Sequence, residues 1–165
     1  MPGYASTFDA APLDRAARLA TRTLWIGAAA SIVVGAGVGA LGSTWSGIGL
    51  VVLGLAIALM LAWMRRIEPR AYDVGDGSLQ VRRRSAKAAG FSGPIAHVRR
   101  GRLGLRIAGD GGAYGYLGRF RADGRTVRTF VTDRQNVVLL DVGGAPLALS
   151  PRDPDRFVAE VGSGA

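Results

Sequence analysis

Two patterns of apolar and polar positions divide this chain. From Thr23 to Met64 no residue carries a charge. A membrane-spanning helix needs ~20 apolar residues rising about 1.5 Å each. The block is long enough for two such spans and a tight turn. Its one polar cluster, Gly42-Ser43-Thr44-Trp45-Ser46-Gly47, marks the turn. The pattern therefore predicts helices over roughly 23–42 and 47–65. A cleaved signal peptide does not fit, because one apolar span follows the other at once. A buried hairpin of a soluble protein does not fit either, because the rest of the chain is too short to cover both helices all round.

After Arg66 the apolar blocks shorten and alternate with polar residues. Asp76-Gly77, Asp123-Gly124 and Gly143-Gly144 are two-residue hairpin signals between plausible strands. Each fixes a register. The first sets Val74 opposite Leu79 and Tyr72 opposite Val81, leaving Asp73, Gln80 and Arg82 on the other face. The third sets Leu140 opposite Leu147 and Val138 opposite Leu149. The second sets Phe120 opposite Val127, Gly118 opposite Thr129 and Arg119 opposite Arg128. Between them, Phe91–Arg99 reads as one strand with Ile95 and Val98 inward. Leu103–Ile107 reads as another, and Gly109–Gly112 as a loop. About seven antiparallel strands result. Asp153 is a helix N-cap, Pro154 suits the first helical position and Asp155 favours the positive helix end. Phe157, Val158 and Val161 give that last helix an apolar side. A half-open barrel plugged by the helix is the simplest assembly.

Ahead of the apolar block, residues 1–11 read as unstructured. Pro12 opens a short helix with an Asp14–Arg18 pair. The organisation is then an N-terminal segment over 1–22, a transmembrane hairpin over 23–65 and a folded domain over 67–165. Arg15, Arg18 and Arg22 precede the first span, and Arg65, Arg66 and Arg70 follow the second. The positive-inside rule puts both termini in the cytoplasm, as a multi-pass protein of a bacterial inner membrane. Trp25 and Trp63 at the inner ends and Trp45 at the turn suit interfacial anchoring. Small residues recur at four-residue spacing: Gly27, Ser31, Gly35 and Gly39 in the first span, Gly54, Ala58 and Ala62 in the second. They pack the hairpin on itself or dock a partner. Gly37, Gly47 and Gly49 add looseness beyond what packing requires.

Charge sharpens this picture. The formal net charge is +9, and of 21 basic residues all but Lys87 are arginine. From Arg82 to Arg106 there is no acid. Arg82, Arg83, Arg84, Lys87, Arg99, Arg100, Arg102, Arg119, Arg121 and Arg128 are candidates for contact with anionic lipid or an acidic partner. Like charges facing across strands, as Arg119 and Arg128 do, are destabilising unless solvated or shared with an anion. With no Cys and the single His97, cysteine-ligated metal sites, thiol nucleophiles and multi-histidine sites are excluded. Neither span carries an ionisable residue, which argues against a transporter. The glycine run 109–112 lacks the features of a phosphate loop. No cofactor or metal is expected. Nucleic acid is not expected either, since the aromatics do not interleave with the arginines.

One run is distinctive. Gly118-Arg119-Phe120, Gly124, Val127, Thr132 and Val137-Val138-Leu139, followed by Leu149-Ser150-Pro151-Arg152-Asp153-Pro154-Asp155-Arg156-Phe157-Val158, resemble the bacterial pleckstrin-homology-like (PH-like) domain family. The resemblance covers roughly residues 70–162. Arg106 and Gly109 match that family's Arg-x-x-Gly lead into an aromatic strand, although Gly111-Gly112-Ala113 is an unusually loose link. The resemblance implies two packed antiparallel sheets capped by a C-terminal helix, often placed directly after a transmembrane hairpin. It implies no catalytic residue set. The expectation is a membrane-anchored α+β protein, non-enzymatic, displaying a PH-like domain for protein or anionic-lipid binding. The alternative is an accessory or regulatory subunit of a larger membrane complex, or a homo-oligomer, docked through the glycine-rich helices. An enzyme is a third and remote reading.

Overall fold

The protein, as a computed structural model, is described over residues 4–75 and 77–163. Asp76, in the first expected turn, lies outside the described residues. Helices α1 (Arg15–Ala40) and α2 (Thr44–Ile67) form a hairpin. Glycine sets its closeness. A Cβ added at Gly47 would lie 2.6 Å from the carbonyl of Gly35, and one at Gly54 would lie 2.6 Å from the carbonyl of Ala28. Backbone meets backbone at both points, as small residues permit. Gly35, Gly39 and Gly54 of the expected stripe lie on this contact. Ser31 and Ala58 are half-buried, while Gly27 and Ala62 face outward. Gly47 is not loose; it occupies the tightest point of the crossing. Of the most apolar stretches of α1 and α2, 11% and 17% is buried, so these are not core helices of a soluble domain. They fit a transmembrane hairpin.

Helix α1 starts well before the apolar block. Asp14 is its N-cap, accepting from the Ala17 backbone N–H at 2.7 Å. That use of the carboxylate replaces the expected Asp14–Arg18 pair. Upstream, residues 4–9 are not unstructured. They form strand β1 (Tyr4–Asp9), antiparallel to β2 (Pro69–Gly75). The interleaving Phe8 side chain enters the core, which local sequence does not reveal.

Strands β3 (Ser78–Arg83) and β4 (Ala89–Ser92) complete a four-stranded sheet in the order β1-β2-β3-β4. The second sheet has six strands in the order β5-β9-β10-β8-β7-β6. These are β5 (Ile95–Arg100), β6 (Arg106–Gly111), β7 (Tyr116–Ala122), β8 (Arg125–Val131), β9 (Val138–Val142) and β10 (Ala145–Leu149). Helix α3 (Pro154–Gly162) follows, capped by Asp153 as expected. The assembly is a sandwich and not a closed barrel.

All three hairpin registers hold. Tyr72 faces Val81, Phe120 faces Val127 and Leu140 faces Leu147. Other expectations are corrected. Ten strands form among the described residues, where about seven were expected. Phe91–Arg99 is two strands, because Gly93 takes φ +128° and Pro94 removes a ladder donor, turning the chain from one sheet to the other. The expected strand 103–107 forms later, at β6, and takes in most of the expected loop. There Gly109 packs directly against the backbone of Leu117 and Gly118, an approach no side chain would allow. The ladders are not all antiparallel. Strand β10 returns from its hairpin with β9 and lies parallel to β8.

One core cluster lies between the sheets, built on Phe8, Tyr72, Leu79, Val81, Phe130, Leu140, Leu147 and Leu149. Phe157 and Val161 of α3 cork one end of it. A second cluster lies on the far face of the six-stranded sheet, around Tyr116, Phe120, Val127, Val131 and Leu139. Ala17 of α1 is fully buried in that cluster, with Leu13 against it. The first turns of α1 are thus part of the domain.

A buried polar knot joins the sheets. Tyr72 Oη donates to the Phe130 carbonyl at 2.7 Å and accepts from the Ser150 N–H at 3.2 Å. Thr132 Oγ1 donates to the Ala11 carbonyl at 2.6 Å. Burial pushes the Tyr72 hydroxyl up to about 12. At Tyr116, burial and then the Asp14 charge also raise it to about 12. A folded-state pKa above the unfolded value of ~10 means stability that is whole below pH ~10 and lost as pH rises through the folded pKa. Alkaline unfolding followed by tyrosinate absorbance should show this loss. Tyr72→Phe should weaken its pH dependence and, at neutral pH, cost about 1–3 kcal/mol by leaving the Ser150 N–H unpartnered. An unchanged alkaline profile would exclude this role for Tyr72.

Candidate anion-binding face

The junction with α1 places the domain. Thr21 Oγ1 donates to the Ala17 carbonyl at 2.8 Å and accepts from the Tyr114 N–H at 3.1 Å. Trp25 Nε1 donates to Tyr114 Oη at 2.8 Å. Asp14 also accepts from Tyr116 Oη and from the Arg134 N–H, each at 3.3 Å. Helix α2 is clasped at its other end. The Arg66 carbonyl accepts from the backbone N–H groups of Ser85 and Ala86, each at 3.1 Å. Both helices therefore enter the domain through fixed joints. Trp25, expected as an interface anchor, is also a joint residue. Trp45 and Trp63 are exposed, at opposite ends of α2.

The sequence run Arg82–Arg106 has no acid, but folding supplies several. Arg82 pairs with Asp73 at 2.9 Å and Arg84 with Glu68 at 3.0 Å. Arg99 pairs with Asp123 at 2.6 Å and Arg100 with Asp155 at 2.8 Å. The run is also divided between the two sheets, so it is not one face. Lys87, Arg102, Arg119 and Arg121 are exposed.

Arg83, Arg119 and Arg128 come together in a different way. Strand parity points all three into the space between the sheets. Val81 precedes Arg83 on the inner face of β3, and Leu117 precedes Arg119 on that of β7. Phe130 follows Arg128 on that of β8. At one level, each strand passes from core to arginine. Arg119 and Arg128 are direct cross-strand partners. The Arg128 guanidinium lies 5.4 Å from the ring centres of both Phe91 and Phe130, and that of Arg83 lies 5.6 Å from Phe130. Such stacking orients a guanidinium plane without neutralising it. Burial, and then the Arg128 charge, lower the pKa of Arg83 from its ordinary value. Its Nε is buried with no hydrogen-bond partner. Among the described residues, none of Arg83, Arg119, Arg121 and Arg128 has an acid within ion-pair distance. Arg119 facing Arg128 is legible from the Asp-Gly turn. The approach of Arg83 from the other sheet is not, and the only local signal for it is the apolar alternation Leu79, Val81 that runs into it.

No curated protein and no solved structure matches the chain. The family model described as bacterial PH domain matches residues 92–164. The match begins at the end of β4 and runs through the six-stranded sheet and α3, leaving β1–β3 and the apolar hairpin ahead of it. A run of strands closed by a helix whose Asp153-Pro154 cap opens onto buried Phe157 is thus the part of this chain that is similar to the bacterial PH domain family.

Proposed function

We propose that this chain is a non-enzymatic binding module of the bacterial inner membrane, with both termini cytoplasmic and its PH-like domain engaging the anionic inner leaflet or a protein seated there. The observation that carries the reading is the pair of joints at Arg66 and at Thr21 and Trp25, which hold the domain against the ends of both apolar helices. PH-like domains are generally binding modules, in keeping with this reading. The flanking Arg15, Arg18, Arg22, Arg65, Arg66 and Arg70 support the orientation through the positive-inside rule. A basic surface held beside an anionic leaflet gains ~1 kcal/mol per nearby Lys or Arg.

The test uses the full chain in lipid nanodiscs. Amide hydrogen exchange is compared between neutral and anionic lipid. The expected result is slower exchange over residues 83–88 and 117–130 in the anionic discs. Identical exchange in both would count against lipid engagement and leave a protein partner, sought by affinity purification from native membranes. A second reading, as a subunit docked through the helices, is favoured by Gly27, Gly37 and Gly49. All three have open space around them after the hairpin has packed.

A further inference from the structure

We propose that the free edge of β6 is a docking site for an extended acidic segment of a partner protein, taken up as one more strand of the six-stranded sheet. The inference rests on the binding-module reading above and names a surface and a partner chemistry for it. Strand β6 ends the strand order, so one side of its backbone has no ladder partner. Five of its six residues are exposed. Leu105, just ahead of it, is 80% exposed, and Ile107 within it is 54% exposed. Outside the helical hairpin these are the only exposed large apolar side chains among the described residues. Edge strands are normally blunted by charge, proline or a bulge, because an open apolar edge recruits another strand. Strand β6 has a bulge, at the register shift between Arg106 and Ala108, and still presents both side chains beside it. An added strand would satisfy the open backbone groups and cover alternate side chains. Arg102, Arg106, Arg119 and Arg121 surround this edge, all exposed, with no acid in ion-pair range among the described residues. They set the sign of the partner. The one acid on the strand, Asp110, lies towards its other end and accepts from the Ala113 N–H.

Position argues against the other two occupants, acyl chains and a second copy. The Tyr114 N–H donates to Thr21 and the Tyr116 hydroxyl to Asp14, so β7 runs away from the bilayer where α1 runs towards it. The Leu105 carbonyl accepts from the Arg121 N–H at 2.8 Å, near the distal end of β7. Leu105 is therefore ~20 Å along the strand from Gly111, at about 3.3 Å per residue. The apolar pair faces the aqueous side. A second copy fails on symmetry. Two antiparallel copies of β6 would be related by a two-fold axis perpendicular to the sheet. Ala17 packs on the far face of that sheet and Thr21, one turn on, meets Tyr114, so α1 lies along the sheet. The axis would then lie in the membrane plane, and the two copies would insert in opposite senses.

The experiment uses the full chain in phosphatidylcholine nanodiscs and a short capped peptide in which Glu and Val alternate, its binding read by fluorescence anisotropy. Two control peptides carry Lys for Glu, or a methyl group on every amide nitrogen. The acidic peptide should bind, and each control at least about tenfold more weakly, because one reverses the charge and the other removes the ladder donors. Arg106→Glu and Arg152→Glu change the charge equally, the first on β6 and the second between β10 and α3. The first should weaken binding by about tenfold and the second by less than about twofold. Arg106 also donates to the Gly109 carbonyl at 3.3 Å, so Ile107→Ser, which touches no core cluster, is the second variant and should weaken binding severalfold. No binding of the acidic peptide, equal binding of either control peptide, or equal losses in the two Glu variants would overturn the site. A doubled mass in detergent that Ile107→Ser abolishes would make the occupant a second copy and overturn the foreign strand. The sidedness of the domain is read separately. The chain has no Cys, so Leu105→Cys is a unique target for a membrane-impermeant maleimide. Reaction in inverted vesicles and not in spheroplasts is expected. The reverse would overturn the cytoplasmic reading and leave the peptide result standing.

Discussion

A fragment spanning residues 67–163 will not fold. It lacks β1 and the first turns of α1, and both are built into the domain. Phe8 is 5% exposed and Ala17 is fully buried. Burying a phenylalanine is worth about 1.5–3 kcal/mol, against a total stability of about 5–15 kcal/mol for a whole domain. The fragment also loses the partners of several polar groups. Thr132 Oγ1 loses the Ala11 carbonyl, the Tyr114 N–H loses Thr21, and Tyr116 Oη loses Asp14. The edge of β2 is left as an unpaired ladder next to a deep apolar gap, a setting for aggregation. A soluble version should instead keep residues 1–22 and join Arg22 to Arg65 through about six Gly/Ser residues, which reach ~13 Å. The two helices run side by side there, so the linker need only span an interhelical distance of ~8–10 Å. Circular dichroism and amide dispersion in NMR should show a cooperative fold for the linked chain and collapse or precipitation for the fragment. A well-dispersed spectrum from the fragment would show that β1 and α1 are dispensable.

Phe157→Ala is expected to cost about 3–5 kcal/mol, the range for emptying a buried aromatic site. The side chain is fully buried and its ring stands edge-on to Phe8, with centroids 4.7 Å apart and planes at 62°. The site cannot collapse easily. On one side lies β1, pinned by its ladder to β2, and α3 is fixed by the Asp153 cap, which accepts from the Arg156 N–H at 3.0 Å. Denaturant unfolding of the full chain in detergent would report the loss as a lower midpoint with an unchanged slope. A loss under about 1 kcal/mol would mean that α3 does not cork the core.

Much of this architecture is written locally. The uncharged block is long and apolar enough for two spans, because ~20 apolar residues without a charge satisfy a bilayer. The two-residue turns fix register because side chains alternate strictly along a strand, so one turn position determines every pair beyond it. Asp153-Pro154 ahead of Phe157 specifies a helix start and a buried face together. The resemblance of residues 118–158 to a PH-like domain rests on these same local features. Strand β1 is different. Residues 4–9 have no strong alternation of their own, and their strand exists only because β2 offers an open edge. Gly93-Pro94 shows a related limit. The pair signals a break, but not that the chain crosses there from one sheet to the other.

The candidate site divides in the same way. The acid-free stretch from Arg82 to Arg106 is a true feature of the sequence, and its charge is a poor guide to the surface. Arg100 finds Asp155 from 55 residues away, and Arg82 finds Asp73 across a hairpin. Ion pairing depends on distance in space, which a list of charges does not contain. The sequence by itself determined the two spans, three hairpin registers, the capped last helix and the excess of arginine, because each follows from rules acting over a few residues. Tertiary structure alone decided which arginines are neutralised. It also decided that α1 begins inside the domain core. And it brought Arg83 from one sheet to Arg119 and Arg128 of the other, because sheet packing joins residues whose separation along the chain carries no trace of their meeting.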